Sequence, residues 1–152
     1  MKTTCFLALG AVLISNMAYA SGIRVQLPAT IHGEDACGQI TGQWQGGGTV
    51  KKWPLTCHYS GVADVKMASL TNFVMDVDLH RDGGSNLCPS NETITLPGTC
   101  ENGAVSFNTD DANLHGSMND AGNAVDLSGT VTFSVSGSRV TADVDDMHLD
   151  KK

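Results

Sequence analysis

The chain has 152 residues and carries 9 Lys plus Arg against 16 Asp plus Glu, a formal net charge of −7 at pH 7. So acidic a chain is a poor match for nucleic acid or an anionic membrane surface. With only 16% charged and 5% aromatic residues but 17 glycines, the composition points to one turn-rich β domain.

Residues 1–20 read as a cleaved export signal. Lys2 is the positive start, Phe6 to Ile14 form the apolar run, and Ala18-Tyr19-Ala20 is a small-x-small cleavage site before Ser21. The run is too short for a membrane span, which takes about 20 residues. Cleavage removes Lys2 and Cys5, taking the charge from −7 to −8 and leaving one exported β domain over residues 21–152. Its expected location is a periplasm or the outside of the cell. The four remaining cysteines, Cys37, Cys57, Cys88 and Cys100, predict two disulfides, with three possible connectivities. Sequential pairing, Cys37–Cys57 and Cys88–Cys100, needs only local closure and is the favoured expectation. Their spacings do not suit a four-thiolate zinc site.

Along the mature chain, Ile23, Val25 and Leu27 alternate with Arg24 and Gln26, as in a strand. Trp44 then stands beside the glycine run Gly46-Gly47-Gly48, read as a mobile loop. An exposed Trp there would stack on a sugar or contact a protein, making Trp44, Gly46, Gly47 and Gly48 candidate binding residues. The favoured expectation is instead a tryptophan that plugs one end of the core.

Period-two alternation dominates from Cys57 onward. Cys57, Tyr59, Ala63, Val65 and Met67 share one parity; so do Phe73, Met75, Val77 and Leu79, and later Val125, Leu127, Gly129, Val131, Phe133 and Val135. Polar residues fill the other parity, the signature of antiparallel strands with one buried and one wet face. Val105 and Phe107 continue the pattern, and Asn119 to Asn123 supply a hairpin loop after Leu114–Met118. After the Ser136-Gly137-Ser138 turn, Val140, Ala142 and Val144 are even but Met147 and Leu149 are odd. A β-bulge near Asp145-Asp146 would restore the register. No helix is predicted in the mature chain. Eight or nine strands imply an all-β antiparallel β-sandwich, with a small up-and-down barrel as the alternative; the scarcity of large inward residues favours a narrow, packed interior.

Asp76, Asp78, His80 and Asp82, followed by Gly83, form the sharpest polar cluster. From Asp78 the spacing D-x-H-x-D-G suggests a Ca2+ loop, the only cofactor the sequence hints at, although Pro89 stands where such a loop supplies a bidentate Glu. The favoured reading is a solvated strand face ending in a turn. His32, His58, His80, His115 and His148 lack metal-ligand spacing. Asp110-Asp111 and Asp145-Asp146 are paired carboxylates without a nucleophile motif. Asn91-Glu92-Thr93 matches an N-glycosylation acceptor.

Ile40-Thr41-Gly42-Gln43-Trp44 resembles the G-x-W start of avidin- or lipocalin-type barrels, without the further tryptophans of an avidin-like pocket. The alternating Ile23, Val25 and Leu27, with Ile31, Gly33 and Cys37, resemble the N-terminus of a chaperone–usher pilin, which implies strand addition to a neighbouring subunit. The chain departs from pilins in its second disulfide and its Met147–Lys152 end. The leading expectation is thus a non-catalytic binding module for a protein or glycan, monomeric, without nucleic acid or membrane insertion. Alternatives are a pilin-like fibre subunit assembled through Ile23–Leu27, and a hydrolase using surface carboxylates or histidines.

Overall fold

A computed structural model describes residues 36–152 of the chain. The expected signal, the strand expected over Ile23–Leu27 and His32 lie outside the described residues. Eight strands follow one helical turn at residues 36–38. They are β1 (Gly42–Lys52), β2 (Leu55–Met67), β3 (Asn72–Gly84), β4 (Asn91–Glu101), β5 (Ala104–Asn108), β6 (Ala112–Met118), β7 (Ala124–Val135) and β8 (Ser138–Lys151). Each pairs antiparallel with the next, and β1 also pairs with β8, so the sheet closes into an up-and-down barrel.

The protein is all-β, as the alternation requires, in the barrel form rather than the sandwich. The two architectures share one alternating pattern; what separates them is where the sheet can curl. Glycines stand at inward positions where strands approach most closely. A Cβ at Gly46 would overlap the carbonyl oxygen of His148 on β8, and one at Gly116 that of Asp126 on β7. Glycine at such corners, together with bulges, lets a sheet coil enough to close. The expected bulge is present: Leu127 pairs with Met147 but Gly129 with Val144, so β8 carries one extra residue at Asp145-Asp146. A second bulge lies between β2 and β3, where Tyr59 pairs with Arg81 but His58 with Gly83. Asp82 is its extra residue.

The glycine run is therefore strand, not loop. Gly46, Gly47 and Gly48 pair with Gly61, Ser60 and Tyr59 of β2. Glycine carries no hydropathy, so β1 has little alternation to read.

One end of the barrel is packed shut. Ala36, Cys37 and Ile40 lie against it, and Trp44, Phe73 and Phe107 fill its interior, all almost fully buried. The Trp44 indole N–H donates to the Ile40 carbonyl at 2.7 Å, and the Phe73 and Phe107 rings meet edge to face at 5.4 Å. Trp44 is 1% exposed, so the favoured expectation of a core plug holds, and Trp44 is corrected as a solvent-facing binding residue. At the opposite end lie the β1–β2, β5–β6 and β7–β8 turns and the β3–β4 loop, residues 85–90.

The disulfides join Cys37 to Cys100 and Cys57 to Cys88, which corrects the sequential pairing. Closing the barrel brings the segment before β1 onto the end of β4, and the β3–β4 loop back over the start of β2. Distance in space, not in sequence, selects the partner.

Candidate functional site

The barrel is packed in one half and hollow in the other. A cavity of about 760 Å3 opens at the end away from Trp44, within the range of small-molecule sites. Phe107 and Met75 form its floor, and Val77, Ile94, Leu96, Leu114, Val131 and Phe133 line its wall. These are the inward residues of β3, β4, β6 and β7, placed by parity. The expectation of a narrow, filled interior is overturned here. Gly46, Gly48 and Gly61 border the cavity as bare backbone, so no side chain from these positions fills it. Gly46, Gly47 and Gly48 form part of the wall at this cavity, as strand and not as a mobile loop.

The mouth is polar. Glu92 of β4, Thr109, Asp110 and Asp111 of the β5–β6 turn, and Ser134 and Arg139 flanking the β7–β8 turn border it. The Arg139 guanidinium bonds the Asp111 carboxylate and also donates to the Asp110 carbonyl at 3.4 Å. Tyr59 stands half-buried in the wall and donates to the Pro89 carbonyl at 3.0 Å. Its pKa lies above the ordinary 10, chiefly because burial disfavours the phenolate; the Glu92 charge adds to the rise and the Arg81 charge opposes it. Arg81 pins the β3–β4 loop through bonds to the carbonyls of Ser85 at 2.8 Å and Cys88 at 2.7 Å.

The calcium-loop expectation fails on geometry. Asp76, Asp78 and His80 belong to the continuous strand β3, where alternate side chains sit about 7 Å apart along one face and cannot close on one ion. Each is tied to β4 instead: Thr95 donates to Asp76 at 2.7 Å, Thr93 to Asp78 at 2.8 Å, and His80 Nδ1 lies 2.7 Å from Asn91 Oδ1. Among the described residues no three His, Cys, Asp or Glu side chains are arranged to hold a metal ion.

A second, shallower depression of about 350 Å3 lies on the outer wall over the β8 bulge, lined by His115, Asp126, Ser128, Asp145, Asp146 and His148. Named histidines and carboxylates converge there. His148 Nδ1 is 2.6 Å from Asp126 and Nε2 is 3.2 Å from Asp150, so both ring nitrogens face carboxylates. Those hydrogen bonds, Asp126 foremost, hold the His148 pKa above the usual 6.5. Lys51 occupies Asp145 at 2.8 Å.

No family model, curated protein or solved structure matches the chain. Sequence reasoning marked the inward parity that builds the cavity wall but did not find the cavity. Its signal lay in the small inward residues: glycines and alanines recur on one parity where a packed interior needs large ones.

Proposed function

We propose that the protein is an exported binding module that holds a small apolar or amphipathic molecule inside its barrel, without chemistry of its own. The observation that carries this reading is the cavity: about 760 Å3, walled by apolar side chains and open at one end. The outer wall supports it by contrast. Asp64, Lys66, Asp76, Asp78 and Asp126 face outward along the strands, the reverse of a membrane-spanning barrel, whose outside is apolar. Two disulfides suit an oxidising compartment, in keeping with a periplasmic or extracellular protein. A closed barrel also offers a donated strand no open sheet edge, which favours binding over pilin-like assembly.

The test is to fill the lumen. Val131→Trp and Leu96→Trp, each from a half-buried wall position, should abolish binding of a neutral probe such as dodecanol in calorimetric titration, with the circular dichroism unchanged. Binding that survives both substitutions would place the ligand elsewhere.

A further inference from the structure

The cavity joins an apolar wall to a mouth whose charges are unequally committed, and this asymmetry, taken with the cavity reading above on which it rests, defines a ligand class. Arg139 is engaged by Asp111 and the Asp110 carbonyl, and Arg81 is turned to the β3–β4 loop carbonyls. Glu92 and the Asp110 side chain, by contrast, have no hydrogen-bond or ion-pair partner among the described residues, and both border the cavity. Glu92 sits opposite Leu79, on the inward parity of β4 that it shares with Ile94 and Leu96, at the rim of the cavity. A molecule seated with its apolar body among Val77, Leu96, Val131 and Phe133 would bring its polar end to these two carboxylates. We infer that the barrel selects amphipathic cations, an alkyl or ring body bearing one ammonium head, over neutral and anionic molecules of the same body. An anionic head would have to displace Asp111 from Arg139 while facing Glu92 and Asp110.

Matched twelve-carbon probes separate the possibilities: dodecylamine, dodecanol and dodecanoate, each below its micellar concentration, titrated calorimetrically into the oxidised protein. Two exposed charge pairs predict the amine to bind roughly 3- to 10-fold more tightly than the alcohol, and the carboxylate more weakly than either. The preference should shrink as salt is raised, since the mouth is open to solvent. In Glu92→Gln/Asp110→Asn the amine-to-alcohol affinity ratio should fall toward one, with the melting temperature confirming that the variant is folded. Equal affinities, or a preferred carboxylate, would overturn the charge selection and leave the cavity reading standing. An amine preference that persists in the double variant would overturn its assignment to these two carboxylates. If none of the three binds, the cavity reading fails, and the inference with it.

Discussion

Trp44 and Trp53 lie nine residues apart on one hairpin and have opposite fates. Trp44 is 1% exposed and hydrogen-bonded, whereas Trp53, in the β1–β2 turn, is 93% exposed. Replacing a buried aromatic by Ala leaves a cavity, so Trp44→Ala should cost about 3–5 kcal/mol in guanidinium unfolding. Trp53→Ala should stay within about 0.5 kcal/mol; equal losses would mean that the two environments are misassigned. A glycine with less space than either is Gly46, where a methyl group would meet the His148 carbonyl. Gly46→Ala should therefore destabilise by about 1–3 kcal/mol or more, while Gly38→Ala, with nothing within 4 Å of the added carbon, should be neutral or slightly stabilising. His148 titrates against two carboxylates, and its pKa is raised in the folded protein. The stabilisation it gives is complete below pH 6.5 and lost as pH rises through the folded-state value. Asp126→Asn should lower the His148 midpoint in an NMR titration. Because the ring is exposed, the stability change should be small and should fade with salt; a midpoint unmoved by the substitution would refute the pairing.

At the scale of elements, what a side chain's hydropathy records was legible and what backbone alone records was not. β2, β3, β7 and β8 announce themselves by alternation, and the slip from even to odd parity locates the bulge at Asp145-Asp146 in the sequence itself. β1 was hidden because its middle is glycine, and glycine has no face to alternate. The barrel differs from the sandwich in closing β1 onto β8, and the curvature that allows this sits in those same glycines and in the bulges of β3 and β8. Disulfide connectivity depends on which loops closure brings together, so local spacing misled. The β8 bulge is the feature that keeps Val144 and Met147 both inward. Deleting Asp146 should put either Ala142 and Val144 or Met147 and Leu149 on the wet side, since a one-residue shift reverses every side chain. The expected result is loss of the cooperative urea transition, whereas Asp146→Ala, which keeps the count, should retain it. A deletion variant with the parental midpoint would show that the bulge carries no register information.

Across the whole molecule the two disulfides divide the barrel's labour by position. Cys37–Cys100 pins the segment that leads into the plugged end, and Cys57–Cys88 pins the loop at the rim, where Pro89 borders the cavity. Chain entropy alone hardly distinguishes them. Sequence separations of 63 and 31 residues correspond to about 4.3 and 3.7 kcal/mol of restricted unfolded-state freedom. Cys37→Ala/Cys100→Ala and Cys57→Ala/Cys88→Ala should therefore lose similar global stability, each about 4 kcal/mol in guanidinium unfolding. Their effects on ligand exchange should differ, because only the rim disulfide, together with Arg81 and Tyr59, holds the loop through which a bound molecule would leave. Freeing that loop should speed dodecanol dissociation in stopped-flow measurements, while freeing the plugged end should leave the off-rate near the parental value under conditions where both variants are folded. Equal off-rates would mean that the loop does not control access. A faster rate in the Cys37/Cys100 variant alone would place the exit at the end closed by Trp44, and so reverse the orientation assigned to the cavity.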